Sequence, residues 1–456
     1  MSDDERELRT VIHRVTERVR QDGHVLGAQI GVQLRRHHPQ FELAAHGFAN
    51  LTDMLERAAP ELSIVGRRGQ DYLWSTDADL DQLDADLEPD DVEPVVPEGR
   101  FLLDRFRIRN FKALAKVDVS LRPFNVIVGA NGAGKTSILE GLFLLSQLRY
   151  KKPATIFSGS RTLGNLVTIG ARKPMRLTIE IDSGHAQLLE YEGQPGVDQP
   201  DGHRVRIGIG DEISEHDYTH VSVATTLPRH LPLLRAFGGS TLLRLDARKL
   251  ARPSGSTRER PSLRRDGRGL ASVLTDLAAT DPDRLGEIFE ATREIIPAFE
   301  SARMPRQRLR GNEGAEIGNG LQLKLYGKWI DASIVSEGTM LVLGLMTIIH
   351  GVRSTRLLLM DDIERALHPK AQRTLVERLA MMTKNGAGLQ LVCTTHSPYM
   401  LDVVDPEDIL VVRAATDSGL SRCRRLVEHD AWDKWRQSMT PGEFWTYVGE
   451  DWLEHE

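Results

Sequence analysis

The residues best equipped for chemistry lie in four short stretches between residues 127 and 401. The first is "IVGANGAGKTSIL", Ile127–Leu139, in which Gly129 through Thr136 fit the spacing GxxxxGK[ST]. Glycines at those places let backbone N–H groups turn inward onto phosphate oxygens, and the helix that follows directs its positive end at them. Asn131, Gly132, Gly134 and Ser137 would line that cradle. Lys135 would contact the β- and γ-phosphates, and the Thr136 hydroxyl would ligate Mg²⁺. The expected ligand is a nucleoside triphosphate with Mg²⁺.

The other three stretches gain meaning from their order. In "RLLLMDDIERALHP", Arg356–Pro369, four apolar residues deliver Asp361 to a strand tip, where a carboxylate can hold Mg²⁺ through water. Asp362 follows where a general base would orient the attacking water, and Glu364 is a nearby carboxylate that could share the role. In "SIVSEGTM", Ser333–Met340, Ser336 and Gly338 open a helix and offer hydroxyl and N–H donors to a phosphate; a plain helix N-cap gives the same pattern. In "LQLVCTTHSPYML", a second apolar strand ends at His396, whose imidazole could reach a γ-phosphate. Gln147 is a further candidate for reaching the metal, but its place in the chain suits a solvated helix position better.

These stretches need a scaffold, and 456 residues suffice for two or three domains with sizeable cores. Hydrophobic residues make up 40% and charged residues 27%, the balance of a globular chain. A net charge of −6 means that any nucleic-acid contact needs a local basic surface. Cys393 and Cys423 sit outside metal-ligand spacing, which argues against a disulfide framework and for a reducing cytoplasm. The N-terminus lacks an apolar signal-like run. The most apolar segment, Met340 to Ile349, is about ten residues where a membrane span needs about twenty, so no membrane partner is expected.

The acidic, proline-bearing stretch 77–99 reads as a linker, with an acidic surface helix over residues 77–87 as the alternative. Downstream, residues 100–456 form one α/β domain. "FLLDRFRIRNFKALAKVDVSL" supplies two strands, "FNVIVG" runs into the phosphate loop, and "TSILEGLFLLSQL" is the helix after it. An inserted α+β and helical region spans about 151–327, with "MRLTIEI" and "QLLEYEG" alternating, and "GLASVLTDLAA" and "DRLGEIFEATREII" helical. Its basic stretch "RKLARPSGSTRERPSLRRDGRG" reads as a mobile, solvated loop, with a second nucleic-acid contact as the alternative.

Taken in chain order, the four motifs resemble the ATP-binding-cassette ATPase superfamily: Walker A, signature, Walker B and switch histidine. More closely, "NFKAL", "GANGAGKTSILEGL", "SEGTM", "DDIERALHP" and "TTHSPYMLD" are similar to the OLD-like AAA-type ATPases related to the recombination and chromosome-maintenance ATPases. The middle phrases "RDGRGLASVLTDL" and "IIPAFE" resemble that group as well, so the likeness covers nearly all of residues 100–456. It implies a P-loop NTPase of the ATP-binding-cassette head type. In that superfamily two heads sandwich each nucleotide, so Gly134, Lys135 and Thr136 would meet Ser336 and Gly338 of a second copy. The family usually carries Glu where this chain has Asp362; a carboxylate one methylene shorter would hold the water less well and slow turnover.

Residues 1–76 read as a small domain. Val11, Ile12, Val15 and Val19 share a helix face; "VLGAQIGVQLRRHHP" and "GFANLTDMLERAAP" are further apolar-periodic segments; "LSIV", a turn at "GRRG" and "DYLW" make a hairpin. The order is that of a winged helix, and "HHPQFELAAHGFANLTDMLE" resembles the LOTUS (OST-HTH) family, which implies contact with RNA or a protein partner. Arg35, Arg36, His37, His38, Arg67 and Arg68 could supply a basic footprint or simply a solvated face. Together these readings point to an ATP-dependent dimer or higher oligomer that controls a separate effector, a nuclease or toxin, in anti-phage defence. The alternative is a repair or recombination ATPase acting on DNA. A transporter and a self-contained OLD-type nuclease fit less well; Glu443, Glu450 and Asp451 look like a helix cap or a docking surface rather than a metal centre.

Overall fold

Four runs, "FNVIV", "LLLM", "QLVCT" and "ILVV", are too evenly apolar for strands with one wet face, and alternation is absent from them. In the computed structural model they lie side by side, buried on both faces. The structure describes residues 25–26, 62–68, 71–76, 102–148, 151, 153–158, 161–182, 186–194, 203–209, 212–216, 240–255, 261–311, 314–351, 357–384, 389–413 and 421–454.

Two compact units divide the chain, residues 1–92 with 154–166 and residues 93–153 with 167–456. In the first, β1 (Val25–Leu26), β2 (Leu62–Arg68) and β3 (Asp71–Thr76) form an antiparallel sheet in the order β1-β3-β2. The expected hairpin is present, but Gly66, Arg67 and Arg68 belong to β2 rather than to a turn, and a register shift between Ile64 and Gly66 absorbs the irregularity. Val25 and Leu26, read as the start of an apolar-periodic segment, pair with Trp74 and Leu73 instead. Arg67 and Arg68 fall in β2. The expected helices, Arg35, Arg36, His37, His38 and the linker at 77–99 lie outside the described residues.

The second unit begins with the hairpin β4 (Arg105–Phe111) and β5 (Leu114–Ser120), followed by β6 (Phe124–Val128) and helix α1 (Lys135–Gln147). Next come β7 (Met175–Asp182), β8 (Ala186–Gly193), β9 (His203–Ile209) and β10 (Glu212–His216). These four strands extend the first hairpin into one six-stranded antiparallel sheet, in the order β10-β9-β8-β7-β4-β5. Strand β11 (Ser240–Leu243) leaves that sheet, and helices α2 (Leu270–Thr280) and α3 (Pro282–Ile295) follow. The α3 helix starts as its sequence demands: the Asp281 side chain accepts from Arg284 N–H, and Pro282 occupies the first turn.

Strands β12 (Phe299–Arg303), β13 (Arg306–Gly311), β14 (Gly314–Asn319), β15 (Gln322–Leu325) and β16 (Lys328–Asp331) make two small antiparallel sheets. The chain closes with α4 (Glu337–Gly351), β17 (Leu357–Met360), α5 (Pro369–Lys384), β18 (Gln390–Thr394), β19 (Ile409–Arg413), β20 (Arg422–Arg425) and α6 (Pro441–Val448). The second large sheet runs β11-β17-β18-β6-β19-β20, its first five strands parallel and β20 antiparallel. The P-loop architecture expected from the motifs is therefore built, and the middle region contributes strands to both large sheets.

Two helices are apolar all round, which a surface helix cannot be. Helix α1 buries Ile138, Leu139, Leu142, Phe143, Leu144 and Leu145. Helix α4 buries the Met340–Ile348 part of the apolar run, which is a core helix and not a membrane segment. No described helix is long and apolar enough to cross a membrane. The described parts of the basic stretch after β11, residues 248–255 and 261–269, are more closely packed than its composition suggests, while residues 256–260 lie outside the described residues. Leu250 is fully buried, Asp246 caps the turn Ala247–Leu250, and Asp266 binds Lys249 at 3.0 Å. Both cysteines are free; burial raises both thiols, that of Cys423 to about 12.

Candidate active site

Parallel strands present all their C-terminal ends on one edge, and every motif singled out for chemistry, save the Ser336 turn, follows a strand that ends there. Strand β6 leads into the phosphate loop, β17 into Asp361 and β18 into Thr395 and His396. The loop is shaped by its neighbours. A Cβ on Gly129 would lie 2.0 Å from the Val412 carbonyl oxygen on β19, so only glycine fits there. Gly132, at φ 78°, has nothing within 4 Å of a Cβ position: its outer side is open, as a cradle for a bulky anion requires. Gly134 stands at the N-cap of α1 with φ 103°, and Asn131 is exposed while Ser137 is half-buried.

Lys135 is folded into this loop, 6% exposed, and donates to the carbonyl oxygens of Gly129 at 2.8 Å and Ala130 at 3.0 Å. Burial lowers its pKa, while Asp362, Asp361, Glu364 and Glu450 work the other way. The hydroxyl of Thr136 donates to Asp361 Oδ2 at 2.9 Å, so the two expected metal ligands already touch. Hard oxygen donors side by side at the start of a phosphate-loop helix suit Mg²⁺.

Asp361 has a second support that sequence reading missed. Thr394 Oγ1 donates to Asp361 Oδ1 at 2.6 Å and accepts the Asp362 N–H at 2.9 Å. The available signal was its position two residues before His396 in "TTHSP". Asp362 itself adopts φ 49°, a left-handed conformation rare for a residue with a side chain, at a cost of about 1–3 kcal/mol. The Thr394 hydroxyl and the Ile363 N–H bond to the Thr394 carbonyl, 3.2 Å, hold it there.

The carboxylates divide their roles. Asp362 Oδ1 lies 3.8 Å from His396 Nε2, a separation that one bridging atom can fill. Burial, then the negative charges of Asp361 and Glu364, raise the Asp362 pKa against the opposing pull of His396 and Lys135. Glu364 Oε1 accepts the His396 backbone N–H at 2.6 Å, which ties the histidine turn to the β17 tip. Its other oxygen, Oε2, is buried without a partner.

Ser336 is exposed at the start of α4, where its Oγ lies 2.7 Å from Thr339 Oγ1 and accepts the Thr339 N–H at 3.4 Å. Its capping role is thus present within the chain. Gly338 is packed so closely that a Cβ would come 2.4 Å from the Ala366 carbonyl oxygen, and Glu337 pairs with Arg365 at 2.8 Å. The Ser336 turn therefore leans on the residues just after Asp362. Gln147 is not the solvated residue its position suggested: it is 3% exposed at the far end of α1, about 18 Å along the helix from Lys135. Glu443 does cap a helix, through reciprocal bonds with Thr440, and Asp451 pairs with Arg413.

Strand β11 brings one more residue to this edge. Leu243 pairs with Met360 in parallel register, so Arg244 comes level with Asp361. Nothing in "STLLRLD" marked it, because its importance arises only from which strand β11 adjoins.

Known proteins resemble this chain over much of its length. Residues 1–73 match the OST-HTH/LOTUS domain. An alignment 348 positions long shows 25% identity to the OLD nuclease of Thermus scotoductus, covering 69% of this chain and 63% of the relative. A retron Ec83 "probable ATPase" of Escherichia coli is 26% identical over 32% of this chain and 26% of its own length. The DNA replication and repair protein RecF of Sodalis glossinidius is 35% identical over 20% of this chain and 32% of its own. The chain thus spans less than two thirds of the length of these relatives. Among solved structures, an Smc head bound to the C-terminal winged-helix domain of ScpA aligns with 73% of this chain and 99% of that one, at 19% identity and a TM-score of 0.48. Residues 124–402, more than half of the chain, match the family described as "AAA domain, putative AbiEii toxin, Type IV TA system", and the chain belongs to that family of AAA ATPase domains.

Proposed function

We propose that this protein hydrolyses ATP at the edge where β6, β17 and β18 end, and that a second copy closes each site with its Ser336 turn. One observation carries the reading: Thr136 and Asp361 touch, while Asp362 and His396 face each other 3.8 Å apart on the same edge. Mg²⁺, held by Thr136 and Asp361, would neutralise charge on the β- and γ-phosphates. Lys135 binds those phosphates, Asp362 takes the proton of the attacking water, and His396 orients the γ-phosphate from the other side. Glu364 holds the histidine turn through its bond to His396 N–H. A serine at a helix N-terminus adds charge-assisted donors only when the γ-phosphate is present, so ATP joins the two copies and hydrolysis releases them.

In this reading the N-terminal domain contacts RNA or a protein partner, and assembly in the cytoplasm governs a separately encoded nuclease or toxin in defence against phage. The names of the OLD nuclease and retron relatives support that role. A second reading, DNA repair or recombination, is favoured by the 35% identity to RecF over 116 residues. Neighbouring genes separate the two: nuclease or toxin genes favour defence, replication genes favour repair. Sedimentation of Asp362→Asn tests the assembly itself. Association with ATP and dissociation without it is the expected result, and an unchanged state in both counts against it.

A further inference from the structure

We infer that Arg244, at the tip of β11, is a catalytic arginine supplied in cis to the γ-phosphate of bound ATP. The inference rests on the ATPase reading and adds a residue that no motif contains. Side chains alternate along a strand, and Leu243 and Met360 share one face of the parallel sheet, within the core against α4 and α5. The next residues, Arg244 and Asp361, therefore share the opposite face, toward α1. Their contacts agree: Asp361 meets Thr136, and Arg244 Nη2 lies 3.5 Å from Glu140 Oε1. Thr136 and Glu140 are four residues apart on α1, hence neighbours on one helix face about 6 Å apart. An arginine side chain spans that distance.

Among the described residues, only the long contact with Glu140 holds the guanidinium where it now rests. Its side chain is 58% exposed, and the ion pair is long for a charge-assisted bond. Glu140 keeps a second cation, Lys112 from the β4–β5 turn, so it is not left unpaired when Arg244 swings away.

The chemistry needs such a group. Water oxygen forms a bond to the γ-phosphorus, the bond from phosphorus to the β–γ bridging oxygen breaks with its electron pair staying on ADP, and the water proton passes to Asp362. Charge spreads over the three equatorial oxygens of the γ-phosphoryl in transit, and a planar guanidinium can pair two of them. Lys135 meets the phosphates from the loop side; Arg244 would meet them from the β11 side.

The test compares Arg244→Ala, Arg244→Lys and Glu140→Gln with the wild-type chain and Lys135→Ala, reading kcat and the affinity for ATP separately. Arg244→Ala should lower kcat at least about 100-fold with ATP affinity within about threefold of wild type, as for an arginine acting in the transition state. Arg244→Lys should recover part of the loss, and Glu140→Gln should keep kcat within about threefold. Arg244→Ala turning over like wild type overturns the inference, as does an equal loss in Glu140→Gln, which would reduce the residue to a structural ion pair. A wild-type chain that hydrolyses no ATP defeats the underlying ATPase reading, and the inference with it.

Discussion

Charged side chains crowd two places in the second unit, and they are arranged to opposite ends. On β7, β8 and β9, Arg176, Thr178, Glu190, Glu192 and Arg206 are cross-strand neighbours. Each carboxylate there meets an arginine: Glu190 takes Arg206 at 2.9 Å and the Thr178 hydroxyl at 3.0 Å, and Glu192 pairs with Arg176. At the tips of β17 and β18, three carboxylates crowd around one buried lysine and one histidine. There Glu364 Oε2 has no partner, Asp362 has a strained backbone, and burial together with its like-charged neighbours raises its pKa. A network of the first kind pairs both of its carboxylates with arginines. One that has to receive a charged ligand keeps donors, acceptors and strain in reserve.

The contrast breaks if substitutions at the two places act alike. The largest expected effect is from Lys135→Ala, about 10³-fold in kcat/KM for ATP, with binding lost in an equilibrium titration. Next, Asp362→Asn should cost about 10²-fold in kcat while ATP still binds. Asp362→Glu should instead raise kcat, since the longer side chain approaches the water more closely; an unchanged or lower rate refutes the explanation given for this residue. The pH profile sharpens the point. A general base works deprotonated, so kcat should rise with pH through the raised pKa of Asp362, on a limb above the usual aspartate value of about 3.9.

Smaller effects follow. Thr394→Val removes both hydrogen bonds that align Asp361 and Asp362, and should lower kcat about tenfold, with Thr394→Ser restoring it. The smallest effect on turnover belongs to the other network. Glu190→Gln should leave kcat within about twofold and appear as a stability loss of about 1–3 kcal/mol in denaturant unfolding. A drop in kcat like that of Thr394→Val would erase the distinction between the two networks.

The difference also explains what was legible beforehand. The phosphate loop, the Asp361–Asp362 pair and His396 could be read because each follows its own apolar strand in a fixed local pattern. Thr394 and Arg244 could not, since their roles depend on which strand lies beside which, and register is absent from a single sequence. Composition misled in two places for a related reason. The basic stretch after β11 looked solvated, yet Lys249 and Arg268 converge on Asp266, and Arg265 stacks over the Phe143 ring at 4.5 Å. Gln147 looked solvated because glutamine usually is, but the second half of α1, residues 141–147, is buried all round. The apolar run of α4 was read correctly as too short to span a bilayer, and packing against α2 and α3 supplies the reason for its composition.

The central claim is that one copy's Lys135 and another copy's Ser336 share a nucleotide, and mixing two inactive variants tests it most directly. Lys135→Ala and Ser336→Ala should each be nearly inert alone. Mixed in equal amounts, half of the pairs would be mixed pairs, each with one intact site, so ATP turnover should return to about a quarter of the wild-type rate. A mixture as inactive as its components would place both residues in a site made by a single chain, and the ATP-joined pair would have to be abandoned.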